Sequence, residues 1–592
     1  MPGRGRLANG LLINNIARTA IIWRRFLFRK QTAMLKKLNW CKNFMKFVTV
    51  CSFWEAHMKK KLTVLLLLCI LIFTGCAEGE GEKNKFNVSG DVAQSQGETR
   101  VLTLSMRVPE TLNPLRNREE TVDTILKLIY QPLIAFDEAG KASPSIAESW
   151  SFSKDGLTLS IQLRSDITWQ NGSQLTADDV AFSIDTIRAA ADDSVYKKVL
   201  DYVSGYSKTG QYSIDIHFRS SFSKNLAALC FPVISAAYYQ GQTDVKSGVN
   251  MSPMGSGAYS MQSYSVGSEM KLTANASYFD GKPEIETISV RTTGGEETDI
   301  YAFDQGMADI LVTDAIETGR YADEGVSGVY QFTSNEYDFI GFNFQRSLFQ
   351  DKKMRQAIAY ALPKEAICET VYLQYAKTAN TPVNPGSWLY EENVAPFDYD
   401  TDMAETLLKN SGWIDTNGDG RLEKDGENGQ EQLHVTILAN QENSARRQVA
   451  AKLGEELTLL GFDVSLDMQP FEQYQEKFIN GDFDLVVGGW QMSPVTDLYS
   501  FFGSKGSMNY IGYQDEQTDA LLLAADQAVG EGATLLAYSS LQKRIAEELP
   551  YISIAFRNKA MFTSNRVGGV IAPTEENIFY SINRWTFESE KE

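Results

Sequence analysis

The stretch DTNGDGRLEKDGENG, residues 415–429, sets Asp415, Asn417 and Asp419 at alternate positions with Gly420 in the turn. That is the spacing in which side-chain oxygens wrap a calcium ion. A calcium loop closes with a bidentate glutamate at its twelfth position, and here that position is Gly426. The segment reads equally as an acidic turn before a strand, so no metal site is assigned beyond this incomplete loop. Histidine offers little more: the chain has three, of which His57 precedes an apolar leader and His217 and His434 alternate with apolar neighbours. A His-based triad or zinc site is hard to assemble from them. The tetrapeptide SFSK, at 151–154 and 221–224, and KTG at 208–210 match pieces of the serine β-lactamase pattern, but its S-D-N motif is missing. These read as chance matches. With no convincing nucleophile and base, the chain is expected to be no enzyme and to need no cofactor.

The segments around these residues have clear element signals. LTLSIQLR, from Leu157, alternates apolar and polar residues as a half-buried strand does, and SKDG before it reads as a hairpin turn from WSFS. LTADDVAFSIDTI opens a helix with Thr176 and Asp179 as a capping box and Val180, Ile184 and Ile187 on one face. LHVTIL, then ARRQVAAKLGEELTLLG with Gly461 as its stop, then FDVSLDM, reads as strand, helix, strand, the pattern of a parallel crossover. A helix around 471–480 leads to FDLVVGGW, a continuous apolar strand of the kind buried on both faces. Trp490 ends that strand, where ligands of open α/β sheets tend to bind.

Near the N-terminus, MKKKLTVLLLLCILIFTGC at 58–76 runs from three lysines through an apolar stretch to Thr74, Gly75 and Cys76. It reads as a secretory signal, short for a membrane span. It resembles the bacterial lipoprotein signal, which implies a diacylglyceryl group on Cys76; the alternative is an ordinary membrane anchor. Residues 1–57 carry eleven Lys or Arg against one acid, Glu55. A signal must stand near the N-terminus, so Met58 is expected to be the true start and 1–57 not to be translated. After Cys76, 42 basic residues face 74 acidic ones, a body that repels nucleic acid and anionic lipid. Two acyl chains suffice for stable anchoring. Residues 76–97 read as a flexible lipid-anchored tether. Beyond Cys76 only Cys230 and Cys368 remain, paired or as thiols.

Four blocks resemble the extracellular solute-binding proteins of the peptide and nickel class (family 5), which feed ABC importers. They are LIYQPLIAFDEAGKASPSIAESWSFSKDGLTLSIQLRSDITWQNGSQLTADDVAFSI, PMGSGAYSMQSYSVGSEMKLTANASYFDGKPEIETISVR, IGFNFQRSLFQDKKMRQAIAYAL, and GDFDLVVGGW with LQKRIAEELPYISIAFRN. The resemblance implies an α/β, periplasmic-binding-protein-like type II fold with two hinged lobes and an extra domain. One lobe would combine 98–134, 255–338 and 561–592, the extra domain 135–254, and the second lobe 339–560. A monomer, lipid-anchored outside the cytoplasm, would capture peptides for a permease and ATPase complex. Trp490 and Tyr499 would wall the cleft, with Asn509, Tyr510 and Arg557 as polar contacts. An aspartate three residues after the tryptophan would hold the peptide amine, but Ser493 stands there, and Asp497 is the next acid. The segment from Glu119 through Glu120, Thr121 and Val122 to Asp123, before the first helix, would be the strand-like edge that pairs with the ligand backbone. An oligosaccharide, a nickel chelate, or a signalling or hydrolytic role remain the alternatives.

Overall fold

Turn chemistry and alternation produce a hairpin at the chain's first SFSK, and it anchors one of the three larger sheets among the described residues. In the computed structural model, Ser153 donates its N–H to Thr158 O at 2.8 Å and Gly156 takes φ +70°, a left-handed conformation suited to glycine. The strands Ala147–Phe152 and Thr158–Leu163 pair antiparallel, and Ser213–Phe218 and Val203–Gly210 complete a meander. Leu159, Ile161 and Leu163 are buried with Ser160 and Gln162 exposed between them, as the alternation predicts, but Leu157, which opens the run, precedes the strand and is exposed. The structure describes residues 100–190, 196–221, 223–242, 247–313, 327–395, 397–426, 429–492 and 497–588. Expectations for residues 1–97, including Met58 and Cys76, and for Ser493 lie outside the described residues.

The helix Ala177–Arg188 starts on the capping box expected for it. Asp179 Oδ2 accepts from Thr176 N at 2.9 Å, and Val180, Ile184 and Ile187 are fully buried. A second sheet joins Val101–Met106, parallel, to Thr287–Thr292, followed by Glu269–Ala274 and Tyr259–Ser265. One apolar core is continuous from Leu102 in this sheet through Ile161 and Ile184 to Trp585.

The largest sheet runs Ile310–Thr313, Tyr551–Ser564, Ser327–Phe342, Leu485–Gln491, His434–Asn440, Asp463–Gln469. Its crossover is as expected: His434–Asn440 and Asp463–Gln469 are parallel, joined by the helix Ser444–Leu459, and Gly461 turns at φ +92°. Leu485–Gln491 pairs parallel with His434–Asn440, and it is buried from both sides. Leu485 and Val487 belong to one apolar cluster and Val486 to another. Two strands are long enough to pass from one core to the next. Ser327–Phe342 and Tyr551–Ser564 pair antiparallel, with a register shift between Thr333 and Tyr337. Met561 lies in the first core, whereas Ile340 and Ile552 lie in the second.

One expectation needs correction. Glu120, Thr121, Val122 and Asp123 are not a strand-like edge; they are the first turn of the helix Glu120–Ile129. Local capping decides it: the Glu119 carboxylate accepts from Val122 N at 2.7 Å and Thr121 Oγ1 at 2.6 Å, and only Glu119 is extended. Val122 is fully buried, so its side chain packs in the core. Cys230 and Cys368 are free thiols. No helix among the described residues is long and apolar enough to cross a membrane.

Candidate functional site

Two adjacent glycines shape the end of the strand that carries Trp490. A Cβ on Gly488 would stand 2.8 Å from Phe339 Cζ, and one on Gly489 would stand 2.0 Å from Arg446 Nη2. Bare backbone there admits a ring on one residue and a guanidinium on the next. Arg446 Nε donates to Asp338 Oδ1 at 2.9 Å, while Arg557 Nε and the Tyr372 hydroxyl donate to Oδ2 at 2.8 Å each. Asp338 has no solvent exposure. Burial alone would push its carboxyl up, but the two guanidiniums overcome that and hold it below the usual aspartate value. Arg557, expected as a ligand contact, is thus committed to a buried ion cluster that also includes Glu336 at 3.7 Å.

Trp490 itself is half-buried among aromatic rings, stacked on Phe339 at 5.9 Å and tilted against Phe501 at 4.9 Å and Tyr510 at 6.3 Å. Asn509 staples its own loop, donating to Gly503 O and Tyr513 O and accepting from Tyr513 N. Asp497 accepts from Tyr499 N at 2.9 Å and from Ser500 Oγ at 3.1 Å, capping the short helical turn Tyr499–Phe502. Trp490, Tyr499 and Tyr510 pack against one apolar cluster that includes Phe339 and Phe501.

The open space lies next to them. A cavity of about 630 Å³ is bounded by the strand at Tyr330–Asn335, by Trp388, Leu498 and Tyr538, by Lys224, and by the segment 571–576. A second, of about 860 Å³, is bounded by Lys127, Tyr130, Tyr196, Cys230, Tyr278 and again Glu576. Trp490, Asp497, Tyr499, Asn509, Tyr510 and Arg557 stand outside both linings, although Leu498 and Met492 beside them belong to the first. Met492 is placed there by its N–H bond to Asn335 O at 2.8 Å. The wall is drawn from segments distant in sequence: Trp388 N donates to Ala139 O at 3.0 Å.

Glu576 is the shared wall. Its Oε1 accepts from Asn335 Nδ2 at 3.0 Å, and burial pushes its carboxyl up from the usual glutamate value. Neither it nor Asn335 stood out in the sequence, and Lys224 did so only through the chance SFSK match, because their segments come together only in the fold. Asp338 left a signal, a lone acid in the apolar run YDFIGF that implies a buried cation partner.

The incomplete calcium loop gains a member. Carboxylate oxygens of Asp415, Asp419 and the buried Glu423 lie within 4.8 Å of one another. The loop's own donors already use them: Gly418 N and Gly420 N bind Asp415, Arg421 N binds Asp419, and Asn417 Nδ2 and Thr416 N bind Glu423.

Residues 141–509 match the family described as bacterial extracellular solute-binding proteins, family 5 Middle. The chain is 27% identical over 548 residues to the oligopeptide-binding protein AppA of Bacillus subtilis (strain 168), covering 89% of this chain and 99% of that one. The solved structure of AppA from Bacillus subtilis in complex with a nonapeptide superposes with a TM-score of 0.57 at 25% identity, covering 83% and 99% of the two chains. NikZ from Campylobacter jejuni, solved in complex with Ni(L-His), gives a TM-score of 0.61 at 24% identity and covers 83% and 100%.

Proposed function

The chain belongs to family 5 of the bacterial extracellular solute-binding proteins, with the α/β type II periplasmic-binding fold expected from its sequence, and on that premise we propose that it is a peptide receptor of an ABC importer. The family consists of binding proteins, not enzymes, so the work to explain is capture and release. The observation that carries the reading is the pair of cavities meeting at Glu576. Each is in or near the range of about 300–1,000 Å³ usual for ligand sites. Two in succession suit an extended chain better than one small solute. The name and ligand of the Bacillus subtilis relative favour the same class.

The long strands Ser327–Phe342 and Tyr551–Ser564 serve as the hinge. Their register shift at 333–337 lies beside the cavity wall at Asn335, where a few residues absorb a change in backbone angle. Ligand would favour the closed form, and the permease would read closure, while ATP hydrolysis belongs to the partner. Main-chain hydrogen bonds would hold the peptide and tolerate many side chains. The aromatic group of Trp490, Tyr499 and Tyr510 backs the wall that Leu498 and Met492 present. Outside the cytoplasm, the receptor would be a monomer tethered by lipid on Cys76.

A nickel chelate is the second reading, favoured by the likeness to NikZ. Neither cavity has a histidine in its lining, so such a chelate would bring its own nitrogen ligands. Native mass spectrometry of Gly97–Glu592, a compact unit of the chain, weighs what stays bound after purification without unfolding. A ladder of masses that resolves into peptides supports the proposal; a single non-peptide or metal-containing mass overturns it.

A further inference from the structure

Asp497, the carboxylate that the family resemblance offers for a peptide amine, has both of its oxygens engaged within its own turn. Lys224 belongs to the second SFSK, and that segment docks on the end of the helix Glu516–Gln527. Ser223 N donates to Asp526 O at 2.6 Å, and Ser221 Oγ to Gln527 O at 2.7 Å. The docking buries Lys224 to 7% exposure, in the field of Asp497 and Asp526.

Glu576 is in the opposite situation. It lines both cavities, its Oε1 is aimed by the neutral Asn335 amide, and among the described residues no cation stands within ion-pair distance of its carboxylate. Its two lysine neighbours pull on the carboxyl through space without pairing with it. Lys127 donates to the Glu576 carbonyl at 2.8 Å and lies 3.3 Å from the Asp123 carboxylate, and Lys559 pairs with Glu575 at 3.3 Å. The charged lining of the first cavity is otherwise Asp137, Glu138 and Glu575 against Lys224 alone. A half-buried carboxylate with no ion-pair partner among the described residues, facing acid-rich space, is completed by a cation from outside.

We propose that Glu576 holds the ammonium group of the bound peptide's N-terminus, which rests on the peptide reading above. Burial holds the Glu576 carboxyl above its ordinary value in the empty protein, and an arriving ammonium reverses that pressure.

The test offers Gly97–Glu592 an equimolar pool of synthetic pentapeptides lacking Lys, Arg and His, half with free and half with acetylated N-termini. Retained peptides are counted by mass spectrometry. Wild type is expected to enrich free over acetylated peptides by about tenfold or more, E576Q to bring the two within about twofold, and D497N to keep the enrichment. Equal retention by wild type, or enrichment lost in D497N and kept in E576Q, overturns the assignment. Should E576Q fail to fold, Asn335→Ala, which removes the amide aiming the carboxylate, is expected to lower the enrichment, and unchanged enrichment there overturns it. A wild type that retains no peptide of either kind sinks the peptide reading itself, an outcome distinct from equal retention.

Discussion

Arg446 lies across the backbone of Gly489 so closely that a Cβ on the glycine would meet its Nη2 at 2.0 Å and the carboxylate it binds, on Asp338, at 2.5 Å. The glycine is therefore part of the ion cluster although it contributes no side chain. Gly489→Ala is expected to push the guanidinium off Asp338 and to cost about 2–4 kcal/mol, since the buried carboxylate loses one of two cations. Urea unfolding compares the variant with wild type; a loss below about 1 kcal/mol would mean that the cluster shifts freely.

The same aspartate gives stability a pH dependence. Its native carboxyl is held below the ordinary value by Arg446 and Arg557 against the cost of burial. Its contribution is fully present above the unfolded value of about 4 and is lost as pH falls through the lower native value. Wild type is expected to lose stability between about pH 4 and pH 2 more steeply than Asp338→Asn. Parallel pH profiles for the two proteins would contradict this.

Asp179 caps its helix and reaches beyond it. Besides Thr176 N, it accepts from Ala236 N at 2.8 Å, and it is only 6% exposed. Asp179→Ala removes the cap and strands a second N–H, so a loss of about 2–3 kcal/mol is expected in chemical denaturation. Asp179→Asn, which keeps an acceptor, should cost less than the alanine variant.

For the loop at 415–423, dialysis against EDTA is expected to leave the melting temperature within about 1 °C, because its carboxylates are held by the loop's own N–H groups. A fall of several degrees, restored by calcium alone, would show that Asp415, Asp419 and Glu423 hold the ion instead.

Local elements were legible because each rests on neighbours in sequence. The hairpin at 153–158, the capping box at Thr176 and the crossover from His434 to Gln469 follow from alternation, a four-residue motif and spacing. The segment 119–123 misled for an equally local reason, a glutamate side chain that caps a helix one residue later. Family resemblance placed attention on Trp490 and its surroundings, and the rings do gather there.

The cavities lay outside that reach. Their walls take Asn335 from one long strand, Trp388 from a loop, Lys224 from the second SFSK and Glu576 from near the C-terminus. No periodicity links positions hundreds of residues apart, and the charge state that matters at Glu576 depends on which lysines find other partners. The family resemblance, the sheet-forming and helix-forming segments and the acidic body could all be read before folding, since they depend on residue type and short spacing. Which carboxylate is paired and which faces open space was left to the packing of distant segments, because counter-charge and burial act through distances that exist once the chain has folded.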